Sequence, residues 1–249
     1  MLFSVYWTQT LRKAIMAQFP EGAPGVICGH PKDVRHATYW AVPDVGHRYA
    51  DGHILGLQLW IPDHILPFSA DDTVIAAACN QLTHLDVPGP NGLFARVAIR
   101  QLTPTQNGPR GLLARTWQGP QHGTVRWVST TPVVFDRYPD DPRNLNSYVQ
   151  QTAQWAGLPT VRQVRTLPNS PLPGVPNART FHLRSNRVRQ PFVTHLEIEF
   201  SEPVRGPVLL GKLRYFGLGI FRPVLHAIPE TFEESPSNLT ERTMEDAYE

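Results

Sequence analysis

Ten histidines are spread along the 249 residues, and His47 and His53 stand in the setting best suited to proton transfer. Imidazole exchanges a proton near neutral pH. Residues 45–56 read VGHRYADGHILG. Gly46 and Gly52 bracket Arg48, Tyr49 and the turn Asp51-Gly52, directly before an apolar run. A loop shaped this way exposes its imidazoles, so one of the two is expected to act as general base or acid, with Arg48 or Tyr49 assisting. The alternative is that His53 caps a strand and His47 fixes the loop through a backbone hydrogen bond. His30, in Cys28-Gly-His-Pro, is a third candidate. His36, His64, His84 and His122 fall in expected surface loops or a helix end and receive no role. His182 and His195 lie in a basic region, to touch a ligand or to support a strand face.

The second chemical feature is glycine-rich. Residues 206–223 read GPVLLGKLRYFGLGIFRP. Gly206, Gly211, Gly217 and Gly219 permit close backbone approach to a ligand, and free N–H groups there cradle phosphate oxygens. Lys212 and Arg214 add positive charge, and Tyr215 and Phe216 offer rings on which bases stack. No Gly-Lys-Ser/Thr and no Gly-x-Gly-x-x-Gly occurs, which excludes a Walker loop and a dinucleotide fingerprint. The mixture points to RNA; a plain strand start with a bulge is the competing reading.

Charge distribution supports a polyanionic partner. The formal net charge is only +2. Residues 229–249 hold seven acidic residues and one arginine, so the remainder is strongly basic. Ten basic residues against Glu197, Glu199 and Glu202 lie between Thr160 and Ile228. An arginine-rich excess of this kind is the footprint of nucleic acid binding. Arg184, Arg187 and Arg189 read as an arm gripping phosphates across a groove. Metal is not expected: the spacing of His47 and His53 is not the helical pair of a zinc peptidase, and neither a cysteine pair nor an acidic triad accompanies them. Cys28 and Cys79 lie far apart, which fits a reducing cytoplasm. No run of about 20 apolar residues is present, and Arg12 and Lys13 follow the apolar N-terminus, the wrong order for a signal peptide.

The elements that must position these residues read as mixed. Helices are expected at about 8–19, 69–82 and 142–156, the second with Ser69 as N-cap. Strands are expected at 37–42, 54–61, 93–102, 111–117, 125–135, 160–166, 192–200 and 217–225. The element order repeats, so the fold expected is α+β: tandem ferredoxin-like (RRM-like) βαββαβ domains, with the glycine-rich loop before the last strand. A segment at 1–52 packs on a first domain at 53–122, which carries the catalytic side. A second domain at 123–228 holds the RNA-binding loop, and 229–249 is an acidic disordered tail.

Three stretches carry a family resemblance: 45–56, 131–137 (TPVVFDR) and 202–221. The glycine loop resembles that of the RAMP superfamily, the RNA-binding proteins of CRISPR systems. More closely, the three stretches resemble the processing half of the fused backbone-and-processing subunit of type I-U (I-G) CRISPR effectors. The resemblance covers most of residues 25–225. It implies metal-independent cleavage of CRISPR repeat RNA, without cofactor, by attack of a 2′-hydroxyl on the adjacent phosphate, leaving a 5′-hydroxyl and a 2′,3′-cyclic phosphate. It implies retention of the 3′ hairpin within a type I effector complex, with the other subunits, a backbone subunit among them, as partners. Lys212-Leu213 stands where related loops often have a further glycine. Two other functions compete with the endoribonuclease. One is a non-catalytic RNA-binding subunit capping guide RNA, and the other is a metal-dependent hydrolase built around His30, His47 and His53.

Overall fold

Residues 38–43 are buried at every position, and they form the strand on which the N-terminal helix and the glycine-rich loop meet. The computed structural model describes residues 3–29, 36–61, 70–88, 94–102, 108–135, 144–181 and 191–225. Strand β1 (Thr38–Pro43) sends successive side chains to opposite faces, as an extended backbone must. Tyr39 packs with Leu11, Ile15 and Ile27, whereas Trp40 and Val42 pack with Trp117 and Ile220. Helix α1 (Ser4–Met16) covers the first face, with Val5, Thr8, Leu11 and Ile15 buried at helical spacing. Thr8 Oγ1 donates to the Phe216 carbonyl oxygen at 2.9 Å, so α1 also touches the glycine-rich loop.

β1 pairs antiparallel with β2 (Ile54–Trp60), from Thr38↔Trp60 at one end to Pro43↔Ile54 at the other. The short helix α2 (Gly25–Cys28) precedes them, and its Ile27 carbonyl accepts from Tyr39 Oη at 3.0 Å. After β2 come α3 (Ala70–Asn80) and an antiparallel pair, β3 (His84–Pro88) with β4 (Phe94–Ala98). β3 was not expected from sequence, although Leu85 and Val87 are buried between exposed His84 and Asp86. The strand expected at 111–117 is instead a 3₁₀ turn at Arg110–Leu112 and helix α4 (Ala114–Gln118). Here the Trp117 indole N–H donates to the Gly111 carbonyl at 2.6 Å and Thr116 Oγ1 to that of Arg110 at 2.5 Å. Both bonds fold the segment back on itself, which an extended strand cannot do.

The C-terminal sheet contains β5 (Thr124–Ser129), β6 (Val133–Val134), β7 (Val161–Leu167), β8 (Val193–Val204) and β9 (Phe221–Pro223). Its order is β9-β5-β8-β7, all antiparallel, with β6 against the start of β8. Helix α5 (Leu145–Trp155) crosses between β5 and β7 and buries Val149, Thr152 and Ala153. Val149 and Ala153 join a core of Trp127, Leu196, Ile198 and Phe200. This is the strand order of a ferredoxin-like unit with one change: between β8 and β9 the chain makes no second helix, only the glycine-rich loop with a 3₁₀ turn at Arg214–Phe216. The fold is therefore α+β with antiparallel sheets, compatible with tandem ferredoxin-like domains. Among the described residues no helix is long and apolar enough to cross a membrane.

His195 and Ser129 tie the middle of this sheet. Ser129 Oγ donates to His195 Nδ1 at 3.0 Å and accepts from the Leu196 N–H at 2.9 Å. His195 Nε2 donates to the Pro176 carbonyl at 3.0 Å. Burial pushes the imidazole down to about 4, against the pull of those hydrogen bonds. His195 is thus a neutral core residue holding the 168–181 segment on the sheet.

Candidate functional site

The loop joining β1 to β2 carries His47 and His53, and it is closed by its own backbone. The Asp44 N–H donates to the His53 carbonyl at 2.8 Å and the Gly52 N–H to the Asp44 carbonyl at 3.0 Å. A turn forms where the Ala50 N–H meets the His47 carbonyl at 3.0 Å. The loop is also held from outside. The Gly46 N–H donates to the Pro173 carbonyl at 2.9 Å, and Arg222 of β9 donates through Nη1 to the Val45 carbonyl. Gly46 has φ +77°, and a Cβ there would overlap the Arg222 guanidinium.

The two imidazoles differ in what they leave open. His47 Nε2 lies 2.7 Å from Asp44 Oδ1, and its Nδ1 accepts the Tyr49 N–H at 3.2 Å. A neutral His47 therefore donates to Asp44, and both nitrogens are engaged in shaping the loop. His53 Nδ1 donates to Asp51 Oδ1 at 2.5 Å, and the His53 backbone N–H reaches the same oxygen at 2.9 Å. These two bonds hold the Asp51 carboxyl below its usual range. With the proton on Nδ1, the lone pair of His53 sits on Nε2, and the side chain is 57% exposed. A carboxylate-oriented imidazole on a largely exposed side chain is an arrangement a proton-transfer catalyst uses. Arg48 stacks over the Tyr49 ring at 5.3 Å, and Tyr49 is 78% exposed.

Asp44 is the shared acid of the loop. Its Oδ1 holds His47, its Oδ2 is 3.9 Å from His53 Nδ1, and its side chain is only 16% exposed. Burial pushes the Arg222 guanidinium down from its ordinary value, and the Asp44 carboxylate opposes that shift. Sequence reading saw no acidic triad, yet ligand-type atoms of Asp44, Asp51 and His53 lie within 4.8 Å of one another. Two carboxylates and an imidazole match the donors of a hard or borderline cation.

The glycine-rich loop is folded inward. The Gly206 N–H donates to the Gln118 carbonyl, that of Leu210 to Gly219, that of Lys212 to Val134 and that of Gly219 to Pro132, all at 2.9 Å. Gly219 has φ +64°, and a Cβ there would overlap the Leu210 carbonyl oxygen. These glycines serve close packing within the protein, and many of the N–H groups expected to face phosphate are bonded internally. The side chains face outward differently. Lys212 is exposed, Arg214 stacks over Tyr215 at 4.6 Å, and Phe216 carries Arg12 over its ring at 5.7 Å. Tyr215 also stacks on His36, ring centroids 3.7 Å apart. Two carboxylates of β8 are paired within the sheet: Glu197 with Arg126 at 2.6 Å and Arg165 at 3.3 Å, and Glu199 with Arg162 at 3.8 Å.

The structure thus brings His47, Arg48, Tyr49 and His53 into one loop, and Gly206, Gly211, Lys212, Arg214, Tyr215, Phe216, Gly217 and Gly219 into another. His30 and the Arg184, Arg187 and Arg189 arm lie outside the described residues, as does the acidic segment 229–249. Sequence reading missed Asp44 and Arg222. Asp44 follows a Pro and offers no motif, and Arg222 was counted only as charge.

A family model described as "CRISPR-associated protein, GSU0054 family" matches residues 2–155 of the chain. No curated protein and no solved structure matches it.

Proposed function

This chain belongs to the CRISPR-associated GSU0054 family, and on that premise we propose that it matures CRISPR RNA by cutting repeat RNA. The observation that carries the reading is the Asp51–His53 pair, with Nδ1 held and Nε2 open. His53 Nε2 removes the proton of a 2′-hydroxyl, whose oxygen attacks the adjacent phosphorus. The bond to the 5′-oxygen breaks, and that oxygen leaves with a proton, giving a 5′-hydroxyl and a 2′,3′-cyclic phosphate. Asp51 stabilises the imidazolium formed in the first step. Arg48 opposes the charge that builds on the phosphorane, and Tyr49 beside it offers a hydroxyl for the departing oxygen. Lys212, Arg214, Tyr215 and Phe216 hold the RNA, so that the 3′ hairpin stays bound. The full partner set in this reading is a type I effector complex, its backbone subunit included.

A second reading rests on the Asp44, Asp51 and His53 group, which suits a metal-assisted hydrolase. One experiment separates the readings: end-labelled repeat RNA incubated with the purified protein, with and without EDTA. A single cut in EDTA that leaves a cyclic phosphate supports the endoribonuclease. Loss of the cut in EDTA, restored by a divalent cation, supports the metal reading. Salt-sensitive binding with no cut under either condition assigns the chain to guide-RNA capping.

A further inference from the structure

At the end of the β1–β2 hairpin away from the histidine loop lies an open cavity of about 280 Å³. From Thr38 to Pro43 the strand runs six residues, about 17 Å end to end at the rise of a strand. The cavity draws on separate parts of the chain: His36 and Trp60 beside the hairpin, Trp155 at the end of α5, and Arg205, Arg214 and Tyr215 from the glycine-rich loop. Trp155 is 62% exposed, unusual for an indole that closes a helix packed on a core. Arg205 is exposed, Tyr215 is already stacked on His36, and among the described residues no carboxylate lines the walls.

We infer that this cavity binds one unstacked nucleotide of a single-stranded RNA, its base on Trp155 and its phosphates on Arg205 and Arg214. The inference rests on the RNA-processing reading and adds to it an anchor site distinct from the scissile one. Flat aromatic faces beside guanidinium groups are the recognition chemistry of a base with its phosphate. The volume lies near the lower limit of ligand pockets and suits a single nucleotide rather than a duplex. An acidic peptide would use the two arginines and leave the exposed Trp155 face without a role.

The test compares wild-type protein with Trp155→Ala, Trp155→Phe and Arg205→Ala for binding of single-stranded repeat RNA across a salt series. Trp155 is solvent-facing, so its replacement leaves the core intact. Loss of one base–aromatic stack weakens binding roughly 5- to 150-fold in Trp155→Ala, with an unchanged salt slope. Trp155→Phe restores most of the affinity. Arg205→Ala lowers the salt slope by about one. Wild-type affinity in Trp155→Ala overturns the anchor site alone and leaves the RNA reading in place. No RNA binding by the wild-type protein overturns both. A polyglutamate peptide that binds wild-type protein but not Arg205→Ala, while RNA binding is insensitive to Trp155, assigns the cavity to an acidic peptide and overturns the inference.

Discussion

Arg222 donates a hydrogen bond to the Val45 carbonyl oxygen, joining the last strand of the C-terminal sheet to the loop that carries His47 and His53. The two residues stand 177 positions apart, so a loop closed by its own backbone is also anchored from the far end of the chain's second sheet. The same guanidinium fills the space above Gly46. Arg222→Ala therefore loses a half-buried bond from a charged donor, worth about 1.5–3 kcal/mol. It is expected to slow repeat cleavage as well, because the histidine loop is no longer held. Urea unfolding and single-turnover cleavage on the same preparation check both effects. A variant with normal cleavage would separate the loop anchor from function.

His53 and His47 are expected to separate in kinetics. Removal of a general acid or base costs roughly 10²- to 10⁴-fold in rate. His53→Ala falls in that range, and Asp51→Asn, which removes the charge that orients the ring, falls by a smaller factor. His47→Ala lowers the rate less than His53→Ala, since both of its nitrogens are occupied by Asp44 and the Tyr49 N–H. Equal losses at the two histidines would count against His53 as the proton carrier.

Stability is expected to fall on acidification through His195. Its pKa in the fold is about 4, against an unfolded value of about 6.5. Between those values the unfolded chain holds more protons, so stability rises with pH across this window. The contribution is complete above about pH 6.5 and is lost as pH falls toward 4, for a total of about 3 kcal/mol. Chemical unfolding at pH 7.5, 6 and 5 measures it. Replacing His195 with Gln flattens the dependence over this range and lowers stability at pH 7.5.

Within the glycine-rich loop, packing and binding separate by position. Gly219→Ala forces a left-handed residue with a Cβ onto the Leu210 carbonyl, costing at least about 1–2 kcal/mol before any steric overlap is added. Lys212→Ala lowers the salt slope of RNA binding by about one. Thermal melts and filter binding distinguish the two outcomes.

Much of the architecture was legible in the chain because it is local. The run ILGLQLW bounded by Gly52 and Pro62 reads directly as β2, and the helical spacing of Val149, Thr152 and Ala153 reads as α5. β8 was legible from its apolar alternation, although it runs four residues further than expected. The flanking glycines of the histidine loop marked it as a candidate for chemistry, and the structure shows the turn they form at Gly46 and Gly52. Segment 111–117 was misread because its apolar residues fit a strand, while the bonds that decide it, Trp117 to Gly111 and Thr116 to Arg110, leave no mark in periodicity. β3 was missed because five residues give too little alternation to stand out. By itself the sequence determined the α+β class, the basic excess around the glycine-rich loop and the pair of histidines worth testing. Only the tertiary structure decided which ring nitrogen stays open, that Asp44 and Arg222 belong to the site, and that Trp60, Trp155 and Arg205 share a cavity. The ring nitrogens are set by near neighbours, Asp51 beside His53 and Asp44 beside His47, once the loop has closed, whereas the Arg222 contact and the cavity join distant segments; such contacts arise when sheets and helices pack, not from any repeat along the chain.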